Sequence, residues 1–152
     1  MPNTFTQIYI HSIFSVKGRD NNIGNSWKDE LYKYITGIIT NKKQKLIIIN
    51  GMPDHLHLLI GLKPDKALSD LIRDVKNNSS KFINEKKFVY GKFSWQEGFG
   101  GFSYSDSQLD KIINYIRNQE KHHIRKSFKE EYIEILKKFK IEYDERYLPE
   151  FQ

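Results

Sequence analysis

Two short stretches of this sequence bring together side chains able to do chemistry. The first is Asp54-His55-Leu56-His57-Leu58. Successive side chains of a strand alternate between its faces, so His55 and His57 share one face while Leu56, Leu58 and Ile60 take the other. Two neutral imidazoles side by side can hold a divalent metal, but a pair is too few and a third ligand must arrive from elsewhere. A His-x-His in a half-buried strand can equally be incidental. The second stretch is Asn114-Tyr115-Ile116-Arg117-Asn118-Gln119, continuing through Glu120-Lys121-His122-His123. At about 100° per residue, Leu109, Ile112, Ile113 and Ile116 make one stripe of a helix, and Tyr115, Gln119 and His122 make another roughly a quarter-turn away or a little more. Tyr115 and Gln119 are one turn apart and can address one point. The Gln119 carbonyl oxygen is a donor suited to a hard metal. A tyrosine beside an apolar stripe is also an ordinary packing residue.

The elements that must position these residues follow from periodicity. Alternation over Thr6 to Val16 predicts a strand, the polar stretch Lys17 to Asn25 a loop, and Trp27, Leu31, Tyr34, Ile35 and Ile38 a first helix ending near Asn41. The apolar runs Leu46 to Ile49 and Leu56 to Ile60, joined by Asn50-Gly51-Met52-Pro53-Asp54, predict a β-hairpin. Leu68, Leu71, Ile72, Val75, Phe82 and Ile83 mark a second helix, with Ser69 expected as its cap. Phe93 to Tyr104, with Gly98, Gly100 and Gly101, reads as short strands around a flexible elbow. A helix carrying Tyr115 starts at Ser105-Asp106, and a last helix spans Phe128 to Phe139 before a charged tail. Strand, helix, hairpin, helix, strand, helix is the split βαβ order of ferredoxin-like and RNA-recognition sheets. The expected fold is α+β: an antiparallel sheet with helices on one face, in a single domain over residues 1–152.

Composition narrows the partners. The chain of 152 residues carries 25 Lys plus Arg against 19 Asp plus Glu, a net of +6, which suits a polyanion. Lys17, Arg19, Arg73, Lys76, Lys81 and Arg117 are candidates for phosphate contacts, and two Trp, nine Tyr and ten Phe offer surfaces for stacking on unpaired bases. The absence of cysteine excludes disulfides and thiolate metal sites. Met1-Pro2-Asn3-Thr4 lacks the character of a signal peptide, and no run approaches the roughly 20 apolar residues of a membrane span. The expectation is a cytoplasmic protein with no membrane partner.

His55-Leu56-His57 resembles the histidine, hydrophobic, histidine (HUH) signature. Tyr115-Ile116-Arg117-Asn118-Gln119 resembles the tyrosine helix of the small single-tyrosine HUH transposases of insertion sequences, kin of the REP-associated tyrosine transposases. The likeness covers nearly the whole chain in order and spacing. It implies that His55, His57 and Gln119 bind a divalent cation, Mg²⁺ or Mn²⁺. Tyr115, on a C-terminal catalytic helix, is implied as the nucleophile that forms a 5′-phosphotyrosine. The implied substrate is single-stranded DNA that folds into hairpins. The implied working unit is a homodimer whose sites take the histidines from one subunit and Tyr115 from the other, with Gly98, Gly100 and Gly101 letting the helix swing. His11, His122 and His123 stand as possible helpers in phosphate binding or proton transfer. The alternative is a noncatalytic single-stranded nucleic-acid-binding module on a ferredoxin-like sheet, with aromatics stacking bases. A metallohydrolase of small phosphoesters would leave Tyr115 unexplained.

Overall fold

The computed structural model describes residues 3–18 and 22–148. The β-branched and aromatic segments form strands β1 (Tyr9–Ser15), β2 (Lys45–Met52), β3 (His55–Gly61) and β4 (Gly100–Tyr104). The segments of helical period form α1 (Lys28–Asn41), α2 (Leu68–Lys86), α3 (Leu109–Arg117), α4 (Gln119–His123) and α5 (Phe128–Lys138). The sheet runs β2-β3-β1-β4 with every neighbouring pair antiparallel. This is the split βαβ arrangement that the sequence order predicts. No described helix is long and apolar enough to cross a membrane.

Strand alternation sends Phe14, Leu56, Leu58 and Ile60 to one face, where they pack with Leu31, Ile35 and Ile39 of α1 and Leu71, Ile72, Val75 and Ile83 of α2. The opposite face carries His11, Ile13, His55, His57 and Leu59, and it is covered too. Ile13 and Phe102 pack with Phe128, Tyr132 and Leu136 of α5, and Leu59 packs with Ile112 and Ile116 of α3. Each such side chain contributes about 1.5–3 kcal/mol when withdrawn from water. The expected layer of helices on one face is therefore α1 and α2. The tyrosine-bearing helix and α5 add a second layer on the other.

The hairpin is tighter than the apolar runs suggest, because Asn50, Gly51 and Met52 belong to β2 and only Pro53 and Asp54 turn the chain. Gly51 is required there: a Cβ would lie 2.2 Å from the His55 carbonyl oxygen. The backbone can thus approach closely at the very start of the histidine strand.

Three local expectations are corrected. Ser69 does not cap α2; Ala67 precedes the helix in an extended conformation without a side-chain cap bond, so Ser69 lies inside the first turn. The tyrosine helix opens with a 3₁₀ turn whose capping box joins Ser105 to Gln108, and it is interrupted at Asn118 (φ −98°, ψ 28°), so that Tyr115 sits on α3 and Gln119 on α4. The glycine elbow is not free. Gly100 and Gly101 are strand residues opposite Ile13 and Ser12, where a Cβ would meet Phe102 and Tyr132, or Leu68, at 2.9 Å. Only Gly98 of the three has a left-handed backbone, at φ 82°.

Candidate active site

The sheet face away from α1 and α2 gathers the histidines. β1 and β3 pair so that Ile13 lies opposite His57 and Ser15 opposite His55, and both imidazoles are wholly buried. Above them α3 brings Tyr115, α4 brings Gln119 and His123, and α5 brings Glu131, whose carboxylate is 4% exposed. Glu131 Oε1 lies 3.3 Å from His55 Nε2, 3.3 Å from His57 Nε2 and 3.1 Å from His123 Nε2. Its Oε2 accepts hydrogen bonds from the Tyr115 hydroxyl and from Gln119 Nε2, the latter at 3.1 Å. The Gln119 carbonyl oxygen, turned the other way, lies 3.4 Å from His55 Nε2 and 3.1 Å from His123 Nε2.

The outer nitrogens decide what the inner ones can do. His55 Nδ1 lies 2.7 Å from Asp54 Oδ1, His123 Nδ1 lies 2.8 Å from the Lys126 carbonyl oxygen, and His57 Nδ1 lies 2.7 Å from His11 Nε2. Carboxylate and carbonyl partners only accept, so His55 and His123 direct their Nδ1 protons outward. Their Nε2 lone pairs then face inward, toward Glu131 Oε1 and Gln119 Oε1, which are also acceptors. A convergence of acceptors is stable only around a cation, either a proton on an imidazole or a metal. His55 Nε2, His57 Nε2 and Glu131 Oε1 lie within 4.8 Å of one another, and separations near 3 Å are those between neighbouring ligands with bonds of about 2.1 Å. The donor set therefore fits a divalent metal, with imidazole nitrogens, an amide oxygen and a carboxylate.

Charge settles along the same lines. For His55, burial alone would lower the pKa, but hydrogen bonds to Asp54 and Glu131 outweigh it and hold the ring above its ordinary value. Burial dominates at His57 and His11, which are pushed down and stay neutral. Burial would raise the Glu131 carboxyl, yet its bonds with His123, His55 and His57 overcome that and keep it ionised far below the usual carboxylate range. The Tyr115 phenol is pushed well above 10 by burial and by the Glu131 charge and hydrogen bond. As it stands it is a protonated donor and not a free phenolate.

Of the residues singled out in the sequence, His55, His57, Tyr115 and Gln119 meet in this one site, together with His11 and His123. His122 tilts over the Tyr115 ring, with centroids 4.7 Å apart. The sequence assigns Asp54 only to the turn before the histidines and gives Glu131 no role. Glu131 had a usable signal, a carboxylate one turn from Phe128 on the stripe continued by Tyr132, Ile135 and Leu136. Tyr115 faces the histidines of its own chain, with its ring 5.9 Å from that of His57.

The basic residues singled out in the sequence lie in separate places on the fold. Arg19 lies outside the described residues. Lys17 is exposed, and Arg117 lies 3.4 Å from the Asn114 side chain. On α2, which packs on the far side of the sheet, Arg73 pairs with Asp70 and Asp74, Lys81 with Glu85, and Lys76 donates to the Gln96 and Gly98 carbonyl oxygens. None of the α2 residues reaches the histidines. Beside Tyr115, Lys121, Arg125 and Lys126 line a cavity of about 480 Å³ that also touches His122, His123 and Glu131, and Lys111 and Lys138 line a second one.

A family model described as "Transposase IS200 like" matches residues 4–119. The ISDra2 transposase TnpA of Deinococcus radiodurans is 25% identical over 118 residues, which is 74% of this chain and 84% of that protein. A crystal structure of a transposase from Deinococcus radiodurans superposes with a TM-score of 0.62 at 23% identity, covering 77% of this chain and 94% of that one. A REP-associated tyrosine transposase bound to a REP hairpin gives 0.62 at 14% identity, covering 80% of this chain and 72% of that one. These two structures share the fold of four strands with helices.

Proposed function

The chain belongs to the IS200-like transposase family, and from that premise we propose that it cleaves and rejoins single-stranded DNA through Tyr115. The single observation that carries this reading is that the Tyr115 hydroxyl and both strand histidines contact one buried carboxylate, Glu131. A nucleophile and a candidate metal site are thereby held side by side. His55, His57 and Gln119 would hold a divalent cation, Mg²⁺ or Mn²⁺, with Glu131 as a further ligand. The bound cation would draw charge from the scissile phosphate and from the attacking oxygen. The chain's own groups do the rest. The Tyr115 oxygen forms a bond to phosphorus, the bond to the 3′ oxygen breaks, and that oxygen leaves with a proton as a 3′-hydroxyl. The 5′-phosphotyrosine retains the phosphodiester energy, so attack by a 3′-hydroxyl reverses the step and rejoins a strand without ATP. Lys121 and Arg125 supply positive charge where the strand would approach Tyr115.

The hairpin-bound neighbour supports hairpin-forming single-stranded DNA as the substrate, and the family resemblance supports a homodimer as the working unit. The noncatalytic alternative needs an open sheet on which bases stack. Here both faces are covered by helices, which removes that platform. Incubation of an end-labelled single-stranded oligonucleotide with protein and Mn²⁺, followed by a denaturing gel, tests the reading. A protein–DNA adduct that disappears in Tyr115→Phe is expected. Free products without an adduct, or an adduct that persists in Tyr115→Phe, would refute the nucleophile.

A further inference from the structure

The segment that closes the site, α5, lies beyond the residues 4–119 that match the family. It is firmly seated. The Ser127 side chain caps its start by accepting from the Glu130 amide, Phe128 stacks on His55 with centroids 3.9 Å apart, and Tyr132 and Leu136 pack with Ile13 and Phe102. Its one buried carboxylate is therefore fixed in place and split in use. Oε1 faces His55 and His57, and Oε2 receives the Tyr115 hydroxyl.

We propose that Glu131 couples the nucleophile to the metal site: one oxygen joins the ligands of the cation while the other holds the Tyr115 hydroxyl, so that filling the site and seating the nucleophile become one linked equilibrium. The proposal rests on the assignment of the cation to His55 and His57 made above. Tyr115 itself is not among the ligands. Its hydroxyl donates directly to the carboxylate and also interacts with the Gln119 side chain, so the Glu131 background is needed to isolate the share that the carboxylate carries, and Glu131 is a positioning residue for the nucleophile. Linkage makes the influence reciprocal: what the tyrosine does for the metal, the metal does for the tyrosine. A carboxylate held at one oxygen has fewer orientations to lose when the other meets a cation, so the hydroxyl favours binding.

The test is a double-mutant cycle on Mn²⁺ affinity, read by calorimetry on the DNA-free full chain. E131A is expected to weaken binding by about tenfold or more through loss of a ligand. Y115F is expected to weaken it about fivefold, at the lower end of usual coupling, and to have no effect when combined with E131A. Should E131A unfold by circular dichroism, E131Q, of the same shape, replaces it in the cycle. Unchanged affinity in the Glu131 variant, or an equal effect of Y115F in both backgrounds, overturns the proposal. The outcome is independent of DNA chemistry. A wild-type protein that forms adducts but shows an additive cycle loses only the coupling, and one that shows the coupling but forms no adduct loses only the proposed reaction.

Discussion

His57 Nδ1 lies 2.7 Å from His11 Nε2, and the two rings stack with centroids 5.0 Å apart and planes 18° from parallel. Burial keeps both rings neutral, so one proton is shared across this contact. For His57 to present a lone pair at Nε2, its proton must sit on Nδ1 and be accepted by His11. His11 thus does for His57 what Asp54 does for His55. We expect His11→Phe, which keeps an aromatic ring but no acceptor, to weaken Mn²⁺ binding by about 10- to 100-fold, the usual cost of losing a group that orients a ligand. Calorimetry on the folded variant checks it, and wild-type affinity would show that the His57 tautomer does not depend on His11.

The tyrosine helix is held to the sheet by Ile112 and Ile116 against Leu59, with Ile116 fully buried. Ile116→Ala should cost about 2–5 kcal/mol of stability, the range for a large-to-small change in a packed core. Urea unfolding measures it. Because Asn50 also donates to the Ile116 carbonyl oxygen at 3.0 Å, part of the attachment survives, and the variant is expected to fold. A loss below about 0.5 kcal/mol would mean that α3 is not anchored through this residue.

Acid should loosen the site through Glu131. Its folded pKa is depressed below the ordinary carboxyl value of 4.5, so between those values the unfolded chain binds a proton that the native chain does not. Stability contributed by this group is present above about pH 4.5 and falls as pH drops toward the folded value. In chelator-treated protein, the difference in unfolding midpoint between wild type and Glu131→Gln should shrink as pH is lowered from 6 to 4. A difference that stays constant across that range would show that the carboxylate is not held by the imidazoles.

Tyr115 rests on its own chain's histidines, and α5 keeps it there. In a mixture of His55→Ala and Tyr115→Phe proteins, each subunit lacks one half of its own site. We expect such heterodimers to form no adduct in the first cleavage, because a self-contained site leaves both subunits dead. Recovery of about half the wild-type adduct would show that the tyrosine helix crosses between subunits before it attacks.

Strand alternation alone placed His55 and His57 on one face and Leu56, Leu58 and Ile60 on the other, because a period of two leaves no other choice. Helical spacing likewise brought Tyr115 and Gln119 toward one point, although the chain breaks at Asn118 between them. Glu131 was harder to see. It stands beside Glu130 and near Glu134, which are both exposed, and its partner His57 lies 74 positions away. Its place on the stripe of Phe128, Tyr132 and Leu136 marks it for burial, but what it meets there depends on α5 folding back over β1 and β4, a tertiary event. The glycine elbow misled for a related reason. Gly100 and Gly101 suggest freedom in isolation, but the close approach of Phe102, Tyr132 and Leu68 explains them better.

The break between the histidine hairpin and the helix that supplies Glu131 also has a meaning in time. A chain made from its N-terminus acquires His55 and His57 with the first hairpin, whose strands are neighbours in sequence and can pair early. The carboxylate that unites them with the tyrosine emerges last among the site residues. While it is being synthesised, the protein therefore carries its histidines and then its nucleophile as unconnected parts. The assembled centre needs a residue that follows every strand of the sheet beneath it.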